Sequence, residues 1–193
     1  MTGPQSAAQR YAFFAERAAN KVPDVPSDTP IVEVKHCGVL GAGTMGGDIA
    51  AVAAMSGFEV TLQDISVDAV DRAIERAQTL YERRLKAPQK VEAAMARLRA
   101  DAGGEGLASA DLLIEAVAED LTIKKAVFAD AESKMKPGAI MATNTSAIPL
   151  EDIGAALNVP ARLIGLLFFN PVPVLPLVEV VYTDASDGSF VDR

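Results

Sequence analysis

The sequence predicts an α/β domain on a doubly wound, mostly parallel sheet, with an inserted helical pair and a leading helix and proline-rich connector. Three observations predict it. Short apolar runs alternate with helical patterns between Val34 and Val181, as parallel strands and their crossovers require. Gly41, Gly43 and Gly46 stand at G-x-G-x-x-G spacing between the first apolar run and the first helical stretch. Polar residues gather where later apolar runs end, at Glu119, Asn144 to Ser146 and Asn170. In an open parallel sheet those exits form the ligand rim.

Composition narrows the classes. At 193 residues the chain is long enough for one domain with a real core. A net charge of −8 argues against nucleic acid as the main partner. No apolar run reaches a membrane-spanning length, and the N-terminus lacks the apolar core of a secretory signal. The one cysteine, Cys37, excludes an internal disulfide and reads as a small buried hydrophobe of the first strand. A cytoplasmic setting is expected, and no metal site.

Taken in order, Ser6 to Asn20 has helical character, with Tyr11, Phe14 and Ala18 on one face and Phe13 beside it. Pro23, Pro26 and Pro30 make Val22 to Pro30 an extended connector. Residues 1–30 therefore form an appendage, and 31–193 the nucleotide-binding domain. The helix packs either on a domain outside this chain or back onto this one.

The run Val34 to Leu40 reads as a buried strand, and Asp48 to Ser56 as a helix ended by Gly57. Gly41 allows the tight turn, Gly43 admits a pyrophosphate without a Cβ in the way, and Gly46 permits close helix packing. The free N–H groups of the helix N-terminus then meet the phosphates. The next strand, Glu59 to Gln63, delivers Asp64, 18 positions after Gly46, where an acceptor for a ribose 2′-hydroxyl belongs. The bland alternative is a glycine-rich turn in some other α/β protein; strand, turn, helix, strand and acid in one order weigh against it.

Ser66 is a fitting N-cap for a helix to about Lys86, with Val70, Ala73, Ile74, Ala77, Leu80 and Tyr81 on its inner face. Pro88 breaks it, and Val91 to Ala102 reads as a second helix before Gly103 and Gly104. The pair carries many Arg and Lys, among them Arg76, Arg84 and Arg97. A solvated face is the default, and a contact for an anionic ligand such as a CoA phosphate the sharper reading. Asp111 to Val117 reads as a central strand, Thr122 to Lys136 as a helix, and Ala139 to Ala142 as a strand. A short helix around Leu150 to Leu157, the strand Leu163 to Phe168 and a final strand Leu177 to Val181 complete the domain.

The blocks GVLGAGTMGGDIA, IEAVAEDLTIKKAVF, ATNTSAIPL and IGLLFFNPVPVLPLVEVV, in this order, resemble the NAD-binding domain of 3-hydroxyacyl-CoA dehydrogenases. YAFFAER with the proline strap is similar to the connector before this domain in multifunctional fatty-acid oxidation proteins, where an enoyl-CoA hydratase domain comes first. The resemblance implies a Rossmann-like fold followed by an all-helical domain that completes the acyl-CoA site and makes the dimer. It implies NAD as cofactor, acyl-CoA as substrate, and oxidation of 3-hydroxyacyl-CoA to 3-oxoacyl-CoA in β-oxidation.

By the same resemblance, Gly41, Gly43, Met45 and Gly46 cradle the pyrophosphate and Asp64 holds the adenosine ribose. Val117, Ala118 and Glu119 line the nicotinamide-side ribose, with Lys124 nearby. Ser146 touches nicotinamide and the substrate's 3-oxygen, Asn170 sits beside them, and Glu179 matches the carboxylate that orients the family's catalytic histidine. That histidine is missing. Where the family reads G-L-H-F-F-N-P, this chain has Leu167 in the histidine's place. Leucine neither takes a proton nor donates a hydrogen bond, and the chain's one histidine, His36, falls at the opposite end of the sheet.

The chain also ends at Arg193, so the helical domain is expected to be absent, leaving Phe168, Val174, Leu175 and Leu177 exposed. Self-association, or a helical or hydratase domain as partner, is the expected consequence. Two functions stay open: the NAD-binding part of a dehydrogenase, weak or inactive alone, and a catalytically silent NAD-binding module. Dehydrogenases of sugar acids that share the glycine loop are a weaker third, opposed by ATNTSAIPL and FFNPVPV.

Overall fold

The structure, a computed structural model, describes residues 3–19 and 33–186. The chain divides into two units, one ending at Ile31 and one beginning at Val32. The first holds the helix α1 (Pro4–Ala19), opened by a proline at a position where no amide hydrogen is needed. Phe13 and Phe14 meet edge to face with centroids 5.6 Å apart, and the Arg17 guanidinium lies 4.8 Å over the Phe13 ring. The proline-rich connector lies outside the described residues.

The second unit carries a seven-stranded sheet in the order β3-β2-β1-β4-β5-β6-β7. The strands are β1 (His36–Leu40), β2 (Glu59–Gln63), β3 (Leu98–Ala100), β4 (Leu112–Glu115), β5 (Ile140–Thr143), β6 (Leu163–Phe168) and β7 (Val178–Val181). All neighbours pair in parallel except β7, which runs antiparallel to β6. The expected α/β fold is the one observed. Strand order reverses between β1 and β4, which opens a crevice at their carboxyl ends.

Alternation along the buried strands feeds two cores. Val39, Val60, Leu62 and Ile114 face α2 (Thr44–Met55), α3 (Val67–Leu85) and α4 (Pro88–Arg97). Leu40, Leu113, Met141 and Leu163 face α5 (Leu121–Lys134) and α6 (Leu150–Gly154). Ser66 caps α3 by accepting from the Ala69 amide at 3.2 Å. The buried Tyr81 hydroxyl donates to the Ala51 carbonyl at 2.8 Å and ties α3 to α2.

One element differs from the sequence reading. The helix expected over Val91 to Ala102 starts at Pro88 and ends at Arg97, and Leu98 to Ala100 is an edge strand. The free edge of β2 decides it: pairing there buries Leu98 and satisfies backbone groups a helix end would leave open. Arg97 donates to the Ala54 carbonyl at 2.8 Å, and Arg99 pairs with Glu59 at 3.1 Å.

The amino end of the sheet is held by Asp111. Its carboxylate accepts from the Lys35 and His36 amides, at 2.8 and 2.9 Å, and pairs with Lys136. His36 starts β1 there, its ring between the Ser109 and Thr61 hydroxyls, and burial holds it below the ordinary imidazole range.

Candidate functional site

At the crevice, β1 passes into α2 through the glycine loop. Gly41 adopts φ +99°, and a Cβ there would stand 2.5 Å from the Ala116 carbonyl at the exit of β4. Only glycine satisfies both conditions. At Gly43, which caps α2 without a side-chain hydrogen bond, a Cβ would meet nothing within 4 Å. The first turn of α2, which includes Met45, therefore starts without a side-chain cap. The Met45 side chain packs instead against the core beneath.

The sequence assigns Gly46 to close helix packing. The structure agrees: a Cβ at Gly46 would fall 1.9 Å from the Gly41 carbonyl at the end of β1 and 3.3 Å from the Ala116 methyl just past β4, so this glycine seats the helix on the sheet. A second contact, of α2 on α3, rests on Gly47, where a Cβ would lie 2.9 Å from the Ala73 methyl. Its signal was the doubled glycine.

Asp64 follows β2 directly. Its carboxylate accepts from the Ala42 amide of the glycine loop at 2.7 Å and from the Ser66 amide at 2.9 Å. A cavity of about 660 Å³ opens beside it, lined by Gly41, Gly43, Asp64, Ile65, Val117 and Ala118 among others. That volume lies in the range of small-ligand sites.

The next two strand exits are joined by a buried polar network. Glu115, fully buried at the end of β4, accepts from the Lys124 ammonium, the Val117 amide and the Thr143 hydroxyl, each at 2.7 Å. Lys124 is 1% exposed and also lies 3.4 Å from Glu119. Glu119 accepts from the Thr145 hydroxyl, whose oxygen accepts in turn from the Ala147 and Ile148 amides at 3.2 Å. Lys124 thus stands beneath the rim, bound to two carboxylates. The sequence reading missed Glu115, although an acidic residue inside the apolar run DLLIEAV was itself a signal that a buried cation is near.

Farther along, Asn144 accepts from the Phe168 amide at 2.9 Å and so extends the β5–β6 ladder by a side chain. Ser146 and Asn170 are exposed at the same ends of the sheet. Leu167 pairs directly across from Glu179 in the β6–β7 register. Glu179 is exposed and borders solvent. Phe168, expected to be exposed, packs partly against the core of the α2 face. The strand exits thus bring Asp64, Glu119, Ser146, Asn170 and Glu179 to one end of the sheet and leave His36 at the other. Among the described residues, no cluster of His, Cys, Asp and Glu is arranged to hold a metal ion.

The family model for the 3-hydroxyacyl-CoA dehydrogenase NAD-binding domain matches residues 36–193. The chain belongs to this family. It is similar to the 3-hydroxyadipyl-CoA dehydrogenase of Escherichia coli K12, at 40% identity over 167 residues, covering 84% of this chain and 35% of that protein. Among solved structures, 3-hydroxybutyryl-CoA dehydrogenase from Escherichia coli K12 superposes with a TM-score of 0.80 at 40% identity, covering 83% of this chain and 35% of that one. The dehydrogenase part of multifunctional enzyme 1 from C. elegans gives a TM-score of 0.75 at 30% identity, over 89% of this chain and 40% of that one. The chain spans about a third of the length of the curated relative it matches.

NAD is the cofactor of this dehydrogenase domain. The residues fit it: the uncapped helix start and the space at Gly43 suit a pyrophosphate, and Asp64 at the cavity mouth suits a ribose diol. No helix among the described residues is long and apolar enough to cross a membrane.

Proposed function

We propose that this chain holds NAD for a 3-hydroxyacyl-CoA dehydrogenase, and that in its present sequence it is a poor catalyst or a silent NAD-binding module. One observation carries the reading: Leu167 faces Glu179 across β6 and β7, where a histidine would be oriented by that carboxylate. Taking the proton of a secondary alcohol as hydride leaves needs a base, and leucine supplies none. Glu179 remains without its imidazole.

In this proposal Gly41, Gly43, Met45 and Gly46 hold the pyrophosphate through backbone amides, and Asp64 the adenosine ribose. Val117, Ala118 and Glu119 line the nicotinamide ribose, with Lys124 acting from below by fixing Glu119. Ser146 and Asn170 sit beside the nicotinamide and an acyl-CoA substrate. Their shared place at the strand exits supports this. Residues 1–30 serve as a connector and 31–193 as the cofactor domain. A helical or hydratase domain, or a second copy, covers the exposed Val174, Leu175, Leu177 and Tyr182. The buried free thiol of Cys37 agrees with a cytoplasmic setting.

The test is an NAD titration beside a turnover assay, with the chain joined to the C-terminal region of the Escherichia coli relative. The chimera should bind NAD and oxidise a 3-hydroxyacyl-CoA at background rate. Leu167→His should raise turnover by about 10² to 10⁴, and Glu179→Gln in that background should lower it again. Robust turnover with Leu167 in place would overturn the reading.

A further inference from the structure

Thr145 stands between Glu119 and the turn that carries Ser146. Its side chain is buried, and residues 145–148 make no backbone–backbone hydrogen bond among the described residues. The Thr145 hydroxyl takes the place of that pairing. Its oxygen accepts from the Ala147 and Ile148 amides, each at 3.2 Å, and its hydrogen goes to Glu119. A hydroxyl has one hydrogen and two lone pairs, so these bonds use all it has. Ser146 lies inside the turn they close and is exposed.

Glu119 is held from the other side by Lys124, 3.4 Å from its second carboxylate oxygen. Lys124 also reaches the turn by another route. It donates to Glu115, Glu115 accepts from the Thr143 hydroxyl, and the Thr143 oxygen accepts from the Thr145 amide at 3.3 Å. Both branches start at one buried ammonium and meet at Thr145, one at its amide and one at its hydroxyl. The Glu119 side chain is nevertheless 49% exposed, so its carboxylate keeps lone pairs for a ligand. Moving this carboxylate moves the Thr145 hydroxyl, and with it the amides that follow Ser146.

We propose that Thr145 is a positioning residue that sets Glu119 for the nicotinamide ribose and the Ser146 turn for the substrate's 3-oxygen as one unit. The inference rests on the NAD reading above and deepens it. Occupying Glu119 then stiffens the turn at Ser146, because the same hydroxyl serves both and polar chains of this kind act together.

Calorimetric titration of the chain with NAD and with ADP, which lacks the nicotinamide ribose, tests it without turnover. Thr145→Val keeps the side chain's shape and removes the hydroxyl's bonds to Glu119, Ala147 and Ile148. It should weaken NAD about tenfold, the scale of one hydrogen bond to a charged group, and leave ADP within about twofold. Thr145→Ser should keep wild-type NAD binding. Amide exchange gives a second readout. In the wild-type chain NAD, but not ADP, should slow exchange at Ala147 and Ile148, and Thr145→Val should abolish the difference. Equal losses for NAD and ADP, no loss at all, or failure of serine to substitute in a folded variant overturns the proposal and leaves the NAD reading intact. Equal slowing by both ligands, or by neither, also overturns it, and this wild-type comparison decides alone if Thr145→Val does not fold. Absence of NAD binding to the wild-type chain overturns both readings.

Discussion

Asp64 performs two tasks with one carboxylate. Through Ala42 it pins the glycine loop to the end of β2, and through Ser66 it sets the start of α3. Both bonds aim the carboxylate before any ligand arrives. A phosphate on the 2′-hydroxyl would meet this negative charge, and among the described residues no cationic side chain lines the cavity to offset it. NAD should therefore bind at least about tenfold more tightly than NADP, about 1.4 kcal/mol. Matching dissociation constants in a direct titration would refute this. At this scale, Gly41, Gly43 and Asp64 were legible because their chemistry depends on local spacing. Gly47 and Glu115 were not, because a helix contact and a buried charge exist only after distant segments meet.

Among the elements, β4, β5 and α5 are fastened at their functional ends by Glu115 and Lys124. The pair is buried, so its partners are not interchangeable with water. Removing one member leaves the other charge stranded, typically at a cost of about 3–5 kcal/mol. Lys124→Met should lower the melting temperature, and Glu115→Gln/Lys124→Met should lose less than the two single changes summed. Additive losses would show that the pair does not act as a unit. The exits of β4 and β5 were readable as polar turns, but not what joins them. The strand β3 failed to show for a related reason: Leu98, Arg99 and Ala100 are good helix formers, and only the open edge of β2 makes them a strand.

For the molecule as a whole, acid should act first at the amino end of the sheet. Burial raises the Asp111 carboxyl, but the Lys136 ammonium and the His36 and Lys35 amides outweigh it and bring it to about 2. An unfolded aspartate titrates near about 3.9. The folded value is the lower one, so Asp111 stabilises the fold above about pH 4, and the contribution fades as pH falls towards about 2. Asp111→Asn should cost about 2 kcal/mol at neutral pH and flatten the melting curve against pH over that window. An unchanged acid limb would contradict this. The doubly wound topology was legible from alternation, the glycine spacing and the polar strand ends, whereas this anchor joins β1, β4 and the segment after α5 and so had no local signature.

The antiparallel β7 has a consequence in time. Among the described residues it is paired on one side only, and it is exposed along its whole length, while β1 and β4 are buried between neighbours. Opening of a sheet starts where the fewest bonds must break, so amide hydrogens of Val178 to Val181 should exchange orders of magnitude faster than those of Val39 or Leu113. Glu179 therefore rides on a strand that opens often, and its distance to position 167 is an average over these excursions. Any surface that docks on β7 would slow that exchange, giving a clock by which a partner can be detected before it is identified.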